Sequence, residues 1–461
     1  MKTTGTRSLI LYIIGFGFLF GLGVFLYGFA TQGGNWAVQP FNRHVSGDGG
    51  VSASGEILDR NGTVLAQSVD GSRIYNSDAE TRLAMLHVVG DTQGYISTGV
   101  QYNFRSELSG YNPVTGLVSP TGKSNGNKIR LTLDSSLCKL AVQEFGSRDG
   151  AAVLYNYRTG ELLCMVSAPG FDPQNPPSDL TTDKTGKYDG VFLNKALSST
   201  FTPGSIFKVV TAAAAIEGIP DLDSRTWECN GSVTINGNKI TDVASYGTLN
   251  FKNALAKSSN VAFAQIAVEL GEDKMAAAAD SMGFNESFSL DGIPAAKSVY
   301  SVKGAQPNEL GWSGVGQYTD LANPYQMMIL MGAIANGGTP VLPYEIAEIT
   351  TPYGFSLKTG AGQDGKQMLK TTTANRLKTY LRYNVTSAYG DGLFPGLAVC
   401  AKTGTAEVGK TKNPNCWMVG FSSNEETPYA FAVVVENETS SLKSAGRIAS
   451  ALMQAAAENK D

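Results

Sequence analysis

The chain has 461 residues, of which 42% are hydrophobic, so it is long enough to bury a large core and is neither disordered nor fibrous. Its 36 basic and 40 acidic residues give a net charge of −4, with no tract rich in lysine or arginine. This balance gives no electrostatic reason to expect nucleic-acid binding, and we predict none.

Histidine and cysteine usage limits the chemistry further. His44 and His87 are the two histidines, and the five cysteines form no CxxC pair and no zinc-like spacing. Cys164 and Cys400 stand in apolar runs, where we expect them to act as small buried hydrophobes. The sequence therefore predicts no metal, no cofactor and no particular disulfide, although a disulfide outside the cell stays open.

The first predicted element is an apolar helix over residues 8–30, a stretch without charged side chains. At ~1.5 Å per residue it would reach about 35 Å, enough to span a bilayer. Lys2 and Arg7 precede it, so the positive-inside tendency places residues 1–7 in the cytoplasm and the chain after about residue 31 outside. A cleaved signal peptide ending at Ala30 is the alternative, but the run exceeds the ~7–15 residues of a signal core.

Residues 31–127 are predicted to form a linker and a small, irregular, β-rich module. Residues 31–54 are polar and rich in glycine and serine, and residues 55–65 predict two short strands around the turn Asn61-Gly62. Residues 67–127 show no sustained helical period.

Residues 128–461 predict a larger domain of mixed α and β structure. We expect a strand at 128–133, a helix capped by Asp134 or Ser135, and a hairpin of strands at 150–155 and 161–166. The remaining predicted elements are helices at 205–217, 250–270, 274–282, 322–335 and 444–458, and strands at 396–402, 416–421 and 429–435. Strands at both ends around a helical middle imply one sheet built from distant segments, with helices on its faces.

A Pro-Gly breaker precedes Ser205, and Lys208 follows three residues later on the same predicted helix. This spacing lets the hydroxyl and the amine approach each other. A serine nucleophile needs a base, and lysine is the economical candidate because neither histidine is near in sequence. Its reference pKa of ~10.4 would have to fall to ~7, by burial and a second cation. A helix-capping serine beside an exposed lysine is the purely structural alternative.

Two further polar motifs stand out from apolar surroundings. Ser258-Ser-Asn260 interrupts the predicted helical run, and burying three polar residues without partners would be costly, so we expect them to face a cleft. Lys402-Thr-Gly-Thr405 ends an apolar strand that could bind an extended peptide, with Gly404 allowing close approach and Lys402 supplying the second cation. The other Ser-x-x-Lys and Lys-Thr-Gly matches, among them Ser136 to Lys139 and Lys358 to Gly360, are interpreted as surface features.

Ser-x-x-Lys, Ser-x-Asn and Lys-Thr-Gly, in this order, are the motif set of penicillin-binding proteins and serine β-lactamases. Over residues 50–455 the chain resembles a class B penicillin-binding protein, a monofunctional peptidoglycan D,D-transpeptidase. Further matches are Gly170-Phe-Asp-Pro173 and Gly314-Val-Gly-Gln317. The resemblance implies an α+β fold with an antiparallel sheet flanked by helices.

The resemblance also implies roles for individual residues. Ser205 would be acylated by the penultimate D-Ala of a stem peptide and trapped by β-lactams, with Lys208 as the base. Ser258 and Asn260 would relay protons and hold the substrate amide, and Lys402 would tune the charge around them.

The motif Lys402-Thr-Gly-Thr405 would bind the substrate. Thr403, Gly404 and Thr405 would bind the substrate, with the backbone N–H groups of Ser205 and Thr405 as the oxyanion hole. Peptidoglycan stem peptides, β-lactams, the cytoplasmic membrane and a membrane glycosyltransferase are the expected partners.

Two alternatives stay open. The first is an enzyme that hydrolyses its acyl intermediate, a D,D-carboxypeptidase or a β-lactamase, although no Glu-x-x-Leu-Asn element was found. The second is a non-catalytic penicillin-binding sensor or scaffold, and for a sensor the seven-residue cytoplasmic tail leaves little signalling capacity.

The N-terminal module also departs from the family pattern, since Ser54 stands where arginine is expected.

Overall fold

The computed structural model describes residues 2–37, 54–110, 126–409 and 413–459. Most of the predicted linker, residues 111–125 of the predicted β-rich module and His44 lie outside these residues. The predicted anchor is part of a longer helix, and Gly5–Phe29 within it is long and apolar enough to cross a membrane, with a mean hydropathy of 2.5.

The helices of the described residues are, in chain order, α1 (Lys2–Ala37), α2 (Ala79–Ala84), α3 (Leu86–Val89), α4 (Val100–Asn103), α5 (Arg105–Ser109), α6 (Ser135–Phe145), α7 (Lys195–Ser198), α8 (Lys208–Gly218), α9 (Phe251–Ala256), α10 (Asn260–Ser281), α11 (Pro307–Ser313), α12 (Pro324–Ala335), α13 (Thr371–Asn384) and α14 (Ala445–Glu458).

The strands are β1 (Ile57–Leu58), β2 (Val64–Val69), β3 (Ser72–Tyr75), β4 (Lys128–Leu131), β5 (Gly150–Asn156), β6 (Leu162–Ala168), β7 (Thr226–Cys229), β8 (Ser232–Ile235), β9 (Asn238–Thr241), β10 (Gly247–Asn250), β11 (Ser289–Leu290), β12 (Ile293–Pro294), β13 (Val341–Leu342), β14 (Ile346–Thr350), β15 (Ser356–Thr359), β16 (Gln363–Asp364), β17 (Val399–Ala406), β18 (Asn415–Ser422) and β19 (Tyr429–Val435).

A five-stranded antiparallel sheet, counted over the described residues, forms the centre of the larger domain in the order β17-β18-β19-β5-β6. Its strands come from both ends of the domain, which confirms the prediction of one sheet built from distant segments. β18 and β19 are buried along their whole length, so both faces of the sheet need cover. Helices α6 and α14 pack together against the sheet, and α12 and α13 form a second group that also contacts it.

The helix α12 shows why this core is apolar throughout. It begins at a proline, Asn323 caps it by accepting a hydrogen bond from the backbone N–H of Gln326 at 3.1 Å, and every residue from Pro324 to Ile334 is buried. A helix that is hydrophobic all round belongs in the centre of a large protein. The cap of α6 was also predicted correctly, since Asp134 accepts from the N–H of Ser136 at 2.8 Å.

A second sheet joins the N-terminal module to the larger domain. Its order in the described part of the chain is β15-β14-β4-β1-β2-β3, and β1 pairs in parallel with β4, Ile57 opposite Ile129. The predicted strands around Asn61-Gly62 are therefore present, and so is the predicted hairpin β5–β6. The module also contains short helices, α2 to α5, that its irregular pattern did not indicate.

Side-chain contacts fasten this module to its surroundings. Arg82 on α2 makes a two-fold hydrogen-bonded ion pair with Asp172, both distances 2.7 Å. His87 is buried, and its Nε2 lies 2.9 Å from the carbonyl oxygen of Val191. Burial lowers the pKa of His87 to about 4, so it is neutral at physiological pH and serves the packing of the module.

Candidate active site

The segment that carries Ser205 is a tight 3₁₀ turn, Gly204–Phe207, which leads directly into α8. Gly204 has φ of +53°, a left-handed conformation that glycine adopts without strain. The turn is tied to the sheet because the indole N–H of Trp417 on β18 donates to the carbonyl oxygen of Thr202 at 3.0 Å. Lys208 then begins α8, and its Nζ lies 2.8 Å from Ser205 Oγ.

The segment Ser258-Ser-Asn260 corrects the predicted helix over 250–270. The helix is interrupted between α9 and α10, and Ser258 takes φ of 57°, which costs a residue with a Cβ roughly 1 kcal/mol. The interruption has a physical cause, because Ser259 caps α10 by accepting from the N–H of Ala262 at 3.1 Å. In this conformation Ser258 Oγ lies 3.2 Å from Lys208 Nζ, and Asn260 Oδ1 lies 2.7 Å from the same nitrogen.

The third segment is β17, an edge strand of the central sheet. Lys402 Nζ donates to Ser258 Oγ and to the carbonyl oxygen of Thr403, each at 2.9 Å. Ser258 Oγ thus lies within hydrogen-bonding distance of both lysines. The three segments predicted to share one cleft do meet, although they are far apart in the chain.

Two glycines allow the turn and the strand to approach this closely. A Cβ on Gly404 would lie 2.8 Å from the carbonyl oxygen of Pro203, and a Cβ on Gly204 would lie 2.7 Å from that of Thr405. Both distances are shorter than real side chains permit. Glycine at these two positions therefore sets the spacing between the Ser205 hydroxyl and β17.

The outer edge of β17 is partly covered by side chains. Asn384 donates to the carbonyl oxygen of Ala401 at 3.1 Å, and the N–H of Thr403 donates to the hydroxyl of Tyr389 at 3.1 Å. Because backbone groups alternate along a strand, the N–H of Thr405 points to this same edge, beside the turn that carries Ser205.

Burial controls the charges of the two lysines, which are both fully buried. Burial lowers the pKa of Lys208 well below its usual range, the neighbouring Lys402 ammonium lowers it further, and Asp242 opposes the shift. Burial also lowers the pKa of Lys402 to about 7. A free amine at Lys208 is therefore available at neutral pH, which is what a base for Ser205 requires.

The site lies at a cleft of 710 Å³. Ser205, Ser258, Asn260, Thr403 and Thr405 all line it. Apolar and polar groups from α11 and the following loop complete the wall, namely Trp312, Val315, Gln317 and Tyr318. Its size suits a short extended peptide.

Two other copies of the motifs do not line the cleft. Lys139, three residues after Ser136, pairs with Asp78 at 2.7 Å on the surface of α6. Lys358 lies on the exposed strand β15, so this copy is at the surface, as the sequence analysis interprets it.

Sequence reasoning missed two residues that hold the site. Tyr389, in a π-helical turn over Val385–Tyr389, accepts hydrogen bonds from both the N–H and the hydroxyl of Thr403. Asp242, after β9, accepts from Ser259 Oγ at 2.7 Å. Neither belongs to a recognisable motif, and each lies 14 or 17 residues from its partner, beyond the reach of a local sequence signal.

Comparison with known proteins connects this geometry to a family. The family model for the penicillin binding protein transpeptidase domain matches residues 150–454. The peptidoglycan D,D-transpeptidase PbpA of Mycobacterium tuberculosis is 27% identical over 335 residues, which are 66% of this chain and 65% of that relative. The probable peptidoglycan D,D-transpeptidase PbpC of Pseudomonas aeruginosa is 25% identical over 82% of this chain and 68% of its own length.

Solved structures share the fold. The D,D-transpeptidase domain of a peptidoglycan glycosyltransferase from Eggerthella lenta superposes with a TM-score of 0.76, is 26% identical, and is covered to 98% by 88% of this chain. Penicillin-binding protein A of M. tuberculosis, as a ceftriaxone acyl-enzyme, gives a TM-score of 0.79 at 23% identity over 87% of this chain and 98% of its own. These comparisons confirm the resemblance to class B penicillin-binding proteins, and the chain belongs to the penicillin-binding protein transpeptidase family.

Proposed function

We propose that this chain is a serine D,D-transpeptidase that cross-links peptidoglycan stem peptides. The observation that carries the proposal is the shared hydrogen-bond network of Ser205, Lys208, Ser258 and Lys402 at the base of one cleft. The D,D-transpeptidase names of the relatives support it, although the chain spans 65% of the length of the first of them.

Acylation begins with proton transfer from Ser205. The neutral amine of Lys208, 2.8 Å away, accepts the hydroxyl proton while Oγ attacks the carbonyl carbon of the penultimate D-Ala. The N–H groups of Ser205 and Thr405 stabilise the oxyanion of the tetrahedral intermediate. When the peptide bond breaks, the proton passes through Ser258 to the nitrogen of the departing D-Ala.

The resulting ester is then resolved by an amine. An amino group of a neighbouring stem peptide attacks the ester carbonyl and loses a proton to the neutral amine of Lys208. When the ester bond breaks, Lys208 returns that proton to the liberated Ser205 oxygen. Asn260 orients Lys208 through Oδ1 at 2.7 Å, and Lys402 keeps the local field positive. A β-lactam would acylate Ser205 by the same first step but leaves no departing fragment, so it traps the enzyme.

Thr403, Gly404 and Thr405 form the peptide-binding part of the proposed site. The hydroxyl of Thr405 lies 2.9 Å from Ser441 Oγ, which itself donates to the carbonyl oxygen of Gly404 at 2.5 Å. In this arrangement the Thr405 hydroxyl donates to Ser441, so to bind the substrate carboxylate it must rotate its proton from Ser441 to the substrate.

The proposed organisation follows the sequence prediction. Residues 1–7 lie in the cytoplasm, residues 8–30 anchor the chain, residues 31–127 form the linker and module, and residues 128–461 form the transpeptidase domain outside the membrane. The apolar helix supports the anchor by its length and composition. A membrane glycosyltransferase that supplies glycan strands is the proposed partner.

The test uses the full chain in detergent with nascent peptidoglycan that carries stem pentapeptides. We expect both D-Ala release and cross-linked dimers, and loss of both in Ser205→Ala. Ser136→Ala, at the unrelated Ser-x-x-Lys, is the matched control and should retain both.

The other functions give distinct results in the same assay. D-Ala release without dimers would identify a D,D-carboxypeptidase. Penicillin label lost within seconds, with no D-Ala release, would identify a β-lactamase. Stable penicillin binding without D-Ala release would identify a sensor or scaffold.

A further inference from the structure

Asp242 contacts the Ser258–Asn260 segment from a different part of the chain. It follows β9 directly, at the end of the β8–β9 hairpin. Its Oδ2 accepts from Ser259 Oγ at 2.7 Å, and its Oδ1 accepts from the N–H groups of Asn260 and of Val261, the latter at 3.1 Å.

These contacts complete the N-terminus of α10. The first N–H groups of a helix have no partner within the helix, and negative charge is favoured beside them. Asp242 binds the N–H groups of Asn260 and Val261, while Ser259 Oγ binds that of Ala262 at 3.1 Å. Because Asp242 also accepts from the Ser259 hydroxyl, one carboxylate fixes both halves of this cap.

The same short stretch fixes the side chain of Asn260. The carbonyl oxygen of Thr241 accepts from Asn260 Nδ2 at 2.8 Å, which leaves Oδ1 to accept from Lys208 Nζ at 2.7 Å. The end of β9 therefore controls both the backbone position of Asn260 and the direction of its amide. Ser258, in its left-handed conformation, immediately precedes Ser259, so its position depends on the residue that Asp242 binds.

We propose that Asp242 is a positioning residue of the acylation step: its carboxylate holds Ser258 and Asn260 where they align Lys208 with Ser205. The inference rests on the proposed function, since it assigns Asp242 a part in the same reaction. Asp242 acts through these residues and is not itself placed on the reacting atoms.

The charge of Asp242 adds a second, separable effect. The charged groups that act on Lys208 are Lys402, which lowers its pKa, and Asp242, which raises it. Beside Asp242, the pKa values of Cys229 and Tyr246 are raised by burial and by its negative charge. The remaining ionisable groups on the cleft wall are Lys257, Glu309, Tyr318 and Glu407.

Two substitutions separate position from charge. In Asp242→Asn the amide oxygen still accepts from the N–H groups of α10, and the Ser259 hydroxyl can rotate to accept from the new amide. In Asp242→Ala both the acceptors and the charge are lost. Glu228→Ala is the matched control, because Glu228 is an exposed acid on neighbouring β7 that accepts from the hydroxyl of Thr248.

The experiment measures the second-order acylation rate of the full chain by fluorescent penicillin from pH 5 to 10. Because three hydrogen bonds to the carboxylate are lost, Asp242→Ala should acylate at least about tenfold more slowly above the acidic limb of its pH profile, and loss of the charge should also move that limb to lower pH. In Asp242→Asn the maximal acylation rate should stay within about threefold of the original. The fall of the rate at acidic pH should move to lower pH, since removing a negative charge lowers the pKa of Lys208. Glu228→Ala should follow the unsubstituted chain.

Amide hydrogen exchange provides a readout that does not depend on activity. Exchange at Asn260 and Val261 should accelerate in Asp242→Ala and stay near the original rate in Asp242→Asn. Normal acylation in Asp242→Ala, or equal loss in both variants with no pH shift, would overturn the inference while leaving the proposed function intact. If the unsubstituted chain is not labelled, the proposed function fails, and unchanged exchange in Asp242→Ala would then separately overturn the role of Asp242.

Discussion

At the scale of single residues, the site depends on two buried amines that share one hydroxyl. Lys208 and Lys402 both donate to Ser258 Oγ, at 3.2 and 2.9 Å. Burying two ammonium groups side by side is unfavourable. The pKa values of the buried amines therefore fall until at least one of the two amines is neutral. The neutral form is favoured more strongly at Lys208, because the positive charge of Lys402 lowers the pKa of Lys208 in addition to the effect of burial.

Replacing Lys402 should therefore move the pH dependence of acylation. In Lys402→Met the nearby positive charge is lost, the pKa of Lys208 rises, and the acidic limb of the acylation rate should move to higher pH. This is opposite in sign to the shift expected for Asp242→Asn. The rate of fluorescent penicillin binding across pH measures it, with Lys139→Met as a control outside the cleft. A limb that stays in place would contradict electrostatic coupling between the two lysines.

The same buried lysine should make stability depend on pH. The pKa of Lys402 is about 7 in the folded chain and 10.5 when exposed, so between these values only the unfolded state binds its proton. Stability contributed through Lys402 must then rise with pH in this window, by an amount on the order of a few kcal/mol. The difference in the free energy of unfolding between the unsubstituted chain and Lys402→Met, measured with denaturant, should therefore change steadily from pH 7 to 10. A constant difference would show that Lys402 does not titrate there.

At the scale of elements, the turn at Ser205 and the strand β17 touch through glycines. Gly404→Ala would bring a methyl group to 2.8 Å from the carbonyl oxygen of Pro203 and 2.9 Å from Ile206 Cγ2. We expect acylation to fall by about tenfold or more, as small misplacements of reacting groups have large effects.

Gly392→Ala is the matched control for this prediction, because nothing lies within 4 Å of its added Cβ. Fluorescent penicillin labelling of both variants, with thermal unfolding to exclude loss of the fold, makes the comparison. Equal labelling of the two variants would mean that the turn and the strand need not be so close.

Some of these elements can be predicted from local sequence signals and others cannot. The strands of the central sheet and the Pro-Gly entry to the Ser205 segment were predictable because apolar runs and a Pro-Gly breaker are local signals. The helix predicted over 205–217 was wrong in its first turn, which is a 3₁₀ turn at Gly204–Phe207 that becomes α-helical at Lys208. The break at Ser258 was not predictable, since apolar residues continue on both sides of it. It depends on the cap made by Ser259 and on Asp242, which arrives from a hairpin elsewhere in the chain.

At the scale of the whole molecule, the sheet that contains β1 and β4 crosses the predicted boundary at residue 127. Composition changes near this residue, and that change alone suggested a boundary. Pairing between distant strands is invisible to such a signal, because the residues of β1 resemble those of any other short strand. The boundary stays a prediction.

Truncation tests how independent the two parts are. A chain that begins at residue 128 would expose the edge of β4 that pairs with β1, and it would lose the ion pair between Arg82 and Asp172. We expect a lower melting temperature and aggregation, whereas a chain that begins at residue 38 should fold normally. Calorimetry and size-exclusion chromatography measure both. An equally stable, penicillin-binding fragment from residue 128 would contradict this.

The most direct test of the central claim is peptide mapping by mass spectrometry after incubation of the full chain with penicillin. We expect a single adduct on the peptide that contains Ser205, its mass increased by the whole β-lactam, and no adduct in Ser205→Ala. An adduct on another residue, or labelling that survives Ser205→Ala, would contradict the assignment of Ser205 as the nucleophile.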